Sequence, residues 1–434
     1  MNDMYTNDDV SISSTNTIIS TTSIKRMLID DMSYDDIIEV ENEIYKCMDE
    51  YLKMDILQIS NPLYHEKLYI DVFETIYVTI NSIYELEEYE EAFNEISAFV
   101  KERINIYCET MISPQRSCIT RDEYQRIYNV TNLEKQIERL RNSYQPAQRT
   151  TAWYEYRYNL LTASNISKII GSDAKKNSLI YEKCQPLLLN ETKMNVNVNS
   201  PIHWGNKYEP VSLNLYEHIY NTNVEDFGCI RHTNIECLGA SPDGINTNIK
   251  SPLYGRMIEI KNIVNREITG IPLEAYWIQM QIQMEVCNLD ECDFFETQFK
   301  EFHTVDEFNE SDKEYTGVIL YFISNNDGGG NPHYVYMPMS LCKDNDSVAY
   351  WIQENVLTLK ETHSLYKTLY WYLEMMSCVL VQRNIKWFSA LHPHIISTWG
   401  IIENERLTGY EHRKPKQKTR KCNIILIKNV NVCN

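Results

Sequence analysis

The sequence predicts an α/β (α+β) protein, with a mixed sheet flanked by helices and a helical N-terminal extension. Between residues 206 and 298, the periodicity changes in the order α–β–β–β–α–β, which is typical of a mixed sheet with helices packed on it. Between residues 30 and 110, the apolar residues recur at helical spacing. The chain of 434 residues is long enough for two or three domains.

The N-terminal part is predicted to be a separate acidic module. Residues 1–28 are rich in Ser, Thr, Asn and Asp and are expected to be disordered. Residues 30–145 form the predicted helical module, in which apolar residues such as Phe93 and Val100 recur among glutamates. Residues 30–100 hold 19 Asp or Glu against 3 Lys or Arg, so the face of this module should repel DNA.

The predicted core extends over residues 150–345. Pro272 is placed at a first helical turn, where proline is favoured, and the glycine-rich segment 325–330 reads as a hairpin loop. The predicted elements are helices at 153–159, 206–220 and 272–286, strands at 224–232, 235–240, 257–264 and 293–298, and a hairpin of 318–323 with 334–337.

The remaining segments are predicted to be C-terminal helices at 346–400 and a basic tail at 401–434. The tail is basic because of the run from His412 to Lys421. Three roles stay open for it: binding a DNA backbone, acting as a nuclear import signal, or forming a solvated end.

Composition excludes several classes of protein. No apolar run reaches the 18–20 residues of a membrane helix, and the first residues lack the features of a signal peptide. The 12 cysteines have no framework spacing and read as reduced thiols. We therefore expect an intracellular protein that is not secreted. The net charge of −20 argues against a nucleic-acid binder, but the charge is unevenly distributed.

The segment 241–261 carries the most informative chemistry. Asp243 follows a short apolar run at a Ser-Pro-Asp-Gly turn, and Glu259 and Lys261 follow 16 and 18 positions later in an alternating strand. Side chains two apart on a strand share a face, so Glu259 and Lys261 point the same way. An Asp-Gly turn or a Glu-x-Lys pair alone is more often structural. Together, they suit a hard cation held beside a cationic group, as in metal-assisted phosphodiester hydrolysis.

Two helical residues extend this set. Glu209 lies in the first half of the helix 206–220 and could face the sheet as a third carboxylate, or face solvent. Gln279 and Gln283 share one face of the helix 272–286, whereas Gln281 points elsewhere. Gln279 could bind a metal-bound water or a phosphate, or contribute ordinary surface polarity.

A phosphate site is suggested further upstream. Arg157 precedes Thr162 and Ser164, one of which can cap the next helix. A guanidinium, hydroxyls and a helix N-terminus suit a phosphate monoester. The alternative is a surface ion pair of Arg157.

The segment from Trp153 to Gln298 resembles the YqaJ-type viral recombinases, close relatives of phage lambda exonuclease in the PD-(D/E)XK nuclease superfamily, in the version found in large DNA viruses. The resemblance covers about a third of the chain and implies the restriction-endonuclease-like fold. The matching pieces, in the order and with the spacing of the family, are Trp153…Arg157, Leu161–Ser164, Trp204-Gly205-x-x-Tyr208-Glu209, Ser241–Gly244, Glu259–Lys261 and Tyr276-x-x-Gln279-x-Gln281-x-x-Met284.

The resemblance implies roles for these residues. Asp243 and Glu259 would be Mg²⁺ ligands with the Ile260 carbonyl, and Lys261 would position or activate water. Glu209 and Gln279 would support the metal site. The contacts to a DNA 5′-phosphate would come from Arg157, Ser164 and Ser241.

The sequence therefore predicts a Mg²⁺-dependent deoxyribonuclease that leaves 5′-phosphate products, with two ions and with Mn²⁺ as a substitute. The leading hypothesis is a 5′→3′ exonuclease on double-stranded DNA ends in viral recombination or replication. The alternatives are an endonuclease of the same fold and a non-catalytic DNA-binding scaffold. No membrane partner is expected. A single-strand annealing protein and a homo-oligomer stay open as partners, and the host cytoplasm (viral factory) and the nucleus as locations.

Overall fold

The computed structural model describes residues 29, 32–54, 56–84, 90–110, 116–117, 130–148, 150–187, 197–198, 200–325 and 332–414. The predicted disordered segment 1–28 and the basic tail from residue 415 lie outside these residues.

The described chain contains helices before and between the strands of one large and one small sheet. The helices are α1 (Tyr34–Met54), α2 (Tyr64–Tyr84), α3 (Glu90–Thr110), α4 (Val130–Arg141), α5 (Thr151–Tyr158), α6 (Ala163–Ile166), α7 (Asp173–Cys184), α8 (Pro201–Tyr220), α9 (Glu274–Cys287), α10 (Val305–Asn309), α11 (Asn345–Leu359) and α12 (Ile385–Thr408), with short 3₁₀ turns at Ile56–Ser60, Met339–Leu341 and Glu411–Arg413. The strands are β1 (Leu161–Thr162), β2 (Val224–Glu225), β3 (Ile230–Arg231), β4 (Leu238–Ala240), β5 (Gly244–Asn246), β6 (Met257–Asn262), β7 (Glu291–Glu301), β8 (Thr316–Ser324), β9 (His333–Tyr336) and β10 (His363–Gln382).

The chain divides into two compact units. The first consists of Met1–Asp49 and Tyr69–Ile106. Its described part is helical, as predicted, and it buries apolar side chains such as Ile44, Ile76 and Val100. The second unit consists of Glu50–Leu68 and Tyr107–Asn434, and it holds every described strand.

The second unit is built on a mixed seven-stranded sheet in the order β2-β5-β6-β7-β10-β8-β9, beside a small sheet in the order β1-β4-β3. Strands β6 and β7 are parallel, and the other pairs of the large sheet are antiparallel. Helix α8 packs on β6 and places Tyr208 and Leu215 against Ile258 and Ile260 in the core. The predicted class, a mixed sheet flanked by helices, is confirmed.

Strand β10 corrects the prediction that residues 346–400 are helical throughout. Helix α11 and helix α12 are present, but between them the 20 residues His363–Gln382 form a strand that lies between β7 and β8. The segment is rich in strand-favouring residues, with Tyr366, Thr368, Tyr370 and Tyr372 alternating along it. The predicted end of the core at residue 345 therefore falls inside the sequence that builds the large sheet.

Three other boundaries differ. The predicted strand 224–232 is divided into β2 and β3, which belong to different sheets. Helix α9 begins at Glu274 rather than Pro272. The predicted basic tail begins within α12, which ends at Thr408 and is followed by Gly409 with a positive φ of 109°.

The start of α9 contacts residues that the sequence assigned to the N-terminal module. The guanidinium of Arg116 donates to the carbonyls of Ser60 and Pro272, at 2.9 Å for Ser60 and 2.5 Å for Pro272. The Trp277 indole N–H donates to the Arg116 carbonyl at 2.7 Å, and the Ser60 hydroxyl donates to Glu274 at 3.2 Å. Among the described helices, none is long and apolar enough to cross a membrane.

Candidate active site

Glu259 and Lys261 occupy one face of β6, as their spacing predicts. In the parallel pairing, Glu259 is opposite Phe294 and Lys261 is opposite Glu296. The Glu259 side chain has no exposed surface, and the Lys261 ammonium donates to its carboxylate. The ammonium also lies 4.9 Å from the centre of the Tyr276 ring.

Asp243 reaches the same strand from the turn between β4 and β5. Strand β5 pairs with β6 so that Gly244 is opposite Ile258. A side chain at Gly244 would approach the Val224 side chain to 2.2 Å, so only glycine fits at this crossing. The pairing brings the Asp243 carboxylate to the Ile260 N–H, which donates to it at 2.7 Å.

The Ile260 carbonyl lies on the same side of the strand as Asp243. The N–H and C=O of one strand residue point to the same neighbour, and the N–H of Ile260 points to Asp243 beyond the last β5 pair. The carbonyl predicted as a metal ligand therefore faces the carboxylate with which it would share the metal.

Helix α9 presents two amides to Glu259. The Gln279 amide donates to one carboxylate oxygen at 2.8 Å, and the Gln283 amide donates to the other at 2.7 Å. Gln283 also donates to the Ser241 carbonyl at 3.1 Å, which ties the helix to the Asp243 turn. Gln281 turns away, as predicted, and bonds the Gln382 carbonyl and the Asn384 N–H.

Helix α8 is fixed across β6 by a buried hydrogen-bond network. The side-chain oxygen of Asn262 accepts hydrogen bonds from the hydroxyls of Ser212 at 2.7 Å and Thr297 at 2.8 Å. The amide N–H of Asn262 donates to the Gly205 carbonyl at 3.1 Å. Glu209 lies between these anchor points and is exposed. Its charge acts on Asp243 and on Tyr336, so the structure brings it within electrostatic range of the Asp243 carboxylate.

The predicted phosphate residues are Arg157 on α5, Ser164 in α6 just after β1, and Ser241 just after β4. Strands β1 and β4 are parallel, with Thr162 opposite Gly239. Ser164 follows Thr162 by two positions and Ser241 follows Gly239 by two positions. Both serines therefore leave the small sheet at the same end of its strands. The Ser241 hydroxyl is buried without a hydrogen-bond partner among the described residues. Arg157 stacks on Trp153 at 4.6 Å, and no described hydrogen bond joins it to either serine.

A comparison with protein families bears on this arrangement. Residues 152–290, about a third of the chain, match the family model of the YqaJ-like viral recombinase domain. We call this segment the YqaJ-like domain. It contains α5 except for its first residue, the small sheet and every predicted site residue.

The chain is similar to a viral protein and to two solved exonuclease structures. It is 27% identical over 294 residues to the uncharacterized protein R354 of Acanthamoeba polyphaga mimivirus; the match covers 59% of this chain and 52%, about half, of that protein. Among solved structures, it is similar to an alkaline exonuclease (LHK-Exo) from Laribacter hongkongensis, with 17% identity, a TM-score of 0.35 and coverage of 59% of this chain and 94% of the other. It is also similar to a phage related exonuclease from Haemophilus somnus 129PT, with 14% identity, a TM-score of 0.32 and coverage of 56% and 94%.

The carboxylates of Glu259 and Glu209 repel that of Asp243. Burial, and then the charges of Glu259 and Glu209, raise the pKa of Asp243 well above its usual value, against the Lys261 ammonium and the Ile260 N–H. Burial lowers the pKa of Lys261, but Glu259 and Asp243 outweigh it and the pKa is raised. Lys261 therefore stays protonated, which favours orientation and charge stabilisation over proton abstraction.

The donor set of the YqaJ-like domain fits a hard divalent cation. Carboxylate and carbonyl oxygens are the ligands that Mg²⁺ prefers, and a dication would relieve the repulsion that raises the pKa of Asp243. The Ser241 Oγ and Gln283 Oε1 atoms are buried without hydrogen-bond partners among the described residues. Within the described ranges, no group of three or more His, Cys, Asp or Glu side chains forms a ready-made metal cluster. Glu259 is instead bonded by Lys261, Gln279 and Gln283.

Gln283 contacts the site residues, although the sequence indicated no role for it. It has no exposed surface and contacts both Glu259 and Ser241. The spacing of four from Gln279 placed it on the right face, but spacing alone could not show that it reaches the second carboxylate oxygen.

Proposed function

We propose that this protein is a Mg²⁺-dependent deoxyribonuclease that degrades double-stranded DNA ends in the 5′→3′ direction during viral DNA recombination. The observation that carries the proposal is the contact set of Asp243, Glu259, Lys261 and Gln279 within a YqaJ-like viral recombinase domain. On the same hypothesis, the protein acts inside an infected cell. Its expected partners are a single-strand annealing protein and further copies of this chain.

In the proposed mechanism, Asp243, Glu259, the Ile260 carbonyl and Glu209 would hold the metal, with Glu209 favouring a second ion. When bound, Mg²⁺ would acidify a water and neutralise the leaving oxygen. Lys261 places a fixed positive charge where the transition state gains negative charge. Gln279 and Gln283 hold the Glu259 carboxylate from both sides, so its orientation does not depend on the metal alone. Cleavage of this kind leaves a 5′-phosphate on the product.

Recognition of the DNA end is assigned to Arg157, Ser164 and Ser241. A terminal phosphate monoester carries more negative charge than an internal diester, so a guanidinium and hydroxyls can distinguish an end from a continuous strand. The parallel pairing of β1 with β4 supports this assignment, since Ser164 and Ser241 each follow a paired residue, Thr162 and Gly239, by two positions, and Ser241 lies two residues before Asp243.

The test compares end-labelled linear DNA with closed circular DNA, each in Mg²⁺, in Mn²⁺ and in a chelator. Degradation of linear DNA alone is expected, and it should require a metal. Cleavage of both substrates would favour an endonuclease of the same fold. A folded protein that binds but cleaves neither would favour a DNA-binding scaffold.

A matched pair of variants ties the activity to the site. Asp243→Asn keeps an acceptor for the Ile260 N–H but removes the charge, and it should abolish cleavage. Asp226→Asn changes an exposed carboxylate in the same way and should leave cleavage unchanged. Full activity of Asp243→Asn at saturating Mg²⁺ would overturn the site.

A further inference from the structure

The carboxyl end of α5, the helix that carries Trp153 and Arg157, is held by cations from two other helices. Lys183 of α7 donates its ammonium to the Arg157 carbonyl at 2.9 Å. Arg406 of α12 donates to the Tyr158 carbonyl at 2.9 Å and stacks on the Tyr158 ring at 4.0 Å. Cations at the last carbonyls of a helix are stabilising because these groups are unpaired and carry the negative end of the helix dipole.

Arg406 joins two helix ends with one guanidinium. Its Nε donates to the Lys183 carbonyl in the last turn of α7 at 3.0 Å, while Nη2 bonds α5. The centre of the Trp399 ring lies 5.2 Å from the same guanidinium. The planar fork of arginine suits this bridging, whereas the point charge of lysine does not.

Helix α12 is itself anchored to α7 beyond this point. Arg413, just after α12, forms an ion pair with Glu405 and donates to Asn177 of α7. Arg413 makes no described hydrogen bond to α5, so it anchors α12 without taking part in the contact to α5.

The charged groups of Arg157 and Arg406 lie close enough to that of Lys183 to repel it. Burial, and then the charge of Arg157, lower the pKa of Lys183 to about 8, with a further contribution from Arg406 and an opposing one from Glu182. The arrangement therefore costs electrostatic energy that carbonyl hydrogen bonds offset, and a bound anion would relieve it further.

We propose that Arg406, acting with Lys183, is a positioning residue that sets α5, and through it Arg157, for recognition of the DNA 5′-phosphate. This inference rests on the proposed function. Arg406 lies outside residues 152–290, so end recognition by the YqaJ-like domain depends on the C-terminal helix of the same chain. Because α5 has only eight residues, a shift at its end displaces the Arg157 stack on Trp153.

The test measures cleavage rates on 5′-phosphorylated and 5′-hydroxyl linear DNA for wild type and for Arg406→Ala, Arg406→Lys, Arg157→Ala and Arg413→Ala. Arg406→Ala should lower the phosphate-to-hydroxyl ratio on the order of tenfold, as small misplacements of a binding group do. The change should lie in KM for phosphorylated ends, with kcat at saturation little altered. Arg406→Lys should restore part of the ratio, and Arg413→Ala should leave it unchanged.

Hydrogen exchange at residues 155–162 gives a readout that does not need cleavage. It should rise in Arg406→Ala and not in Arg413→Ala. Unchanged exchange, or an equal loss of the ratio in Arg413→Ala, would overturn the inference. If the phosphate-to-hydroxyl ratio is unchanged in Arg406→Ala but lowered in Arg157→Ala, the positioning role of Arg406 is refuted and the proposed end recognition by Arg157 stands. A wild-type protein without phosphate preference would refute the proposed end recognition as well.

Discussion

At the scale of single residues, Lys261 has two separable effects. Its ammonium offsets the charges of Asp243 and Glu259, and in the proposed mechanism it would supply a fixed positive charge for the reaction. The first effect can be taken over by a bound dication, because that too neutralises the carboxylates. The second requires a charge at the position of the side chain itself.

Lys261→Met should therefore show different responses of stability and rate to Mg²⁺. Without metal, the variant leaves buried Glu259 without its ammonium and should lose about 3 kcal/mol of stability. Added Mg²⁺ should recover much of this loss. The rate should remain reduced by ~3 kcal/mol in the barrier. Thermal unfolding and single-turnover cleavage, each measured across Mg²⁺ concentrations, separate the two effects.

Lys300→Met is the matched control, since Lys300 is half-exposed and pairs with Glu374 at the surface. It should change neither quantity. Recovery of the Lys261→Met rate by Mg²⁺ alone would contradict the catalytic role of the ammonium.

The site was largely predictable at this scale because its signals are local. Alternation along β6 put Glu259 and Lys261 on one face, and the spacing of glutamines put Gln279 and Gln283 on one side of α9. The contact between Asp243 and the Ile260 N–H was not readable from the sequence, since it depends on the register of β5 against β6. Arg406 gave no signal at all, because its acceptors are backbone carbonyls more than 220 positions away.

At the scale of elements, α9 is held at its first turn by Arg116, which is 156 positions from the Pro272 carbonyl it binds. The Arg116 N–H in turn donates to the Nε2 atom of His65 at 3.0 Å, so the imidazole must be unprotonated at that atom. Burial, and then the charge of Arg116, lower the pKa of His65 to about 4. The anchor of a helix that carries two site residues is therefore sensitive to acid.

This arrangement predicts a pH dependence of stability. His65 has a lower pKa in the folded state than its usual 6.5, so its contribution is fully present above pH 6.5 and is lost as the pH falls through 4. The difference in unfolding free energy between wild type and His65→Gln should change by about 3 kcal/mol over this window. Denaturant unfolding of both proteins at several pH values measures it. A constant difference from pH 7 to pH 4 would mean that His65 is not buried against Arg116.

At the scale of the whole molecule, the C-terminal strand makes the fold depend on sequence far beyond the YqaJ-like domain. Strand β10 pairs with β7 over residues 371–382 and with β8 over residues 363–372. Periodicity could not reveal this, because pairing of β10 with β7 is set by partners about 80 positions away, and the Leu, Met and Glu in the segment favour a helix as well. Strand β7 in turn supports β6, the strand of Glu259 and Lys261.

A chain ending at residue 345 should consequently fail to fold, although it contains the whole YqaJ-like domain and every site residue. Loss of β10 would expose the edge of β7 and remove Trp371, which packs edge-on against Phe299 at 5.2 Å in the core. An unpaired strand with such apolar neighbours is an aggregation site. A chain ending at residue 414 keeps every described strand and helix and should unfold cooperatively like the full chain. The soluble fraction, the thermal transition and cleavage of linear DNA compare the two. Cooperative unfolding and normal cleavage by the chain ending at 345 would show that β7 and β8 can pair directly and that β10 is dispensable for the site.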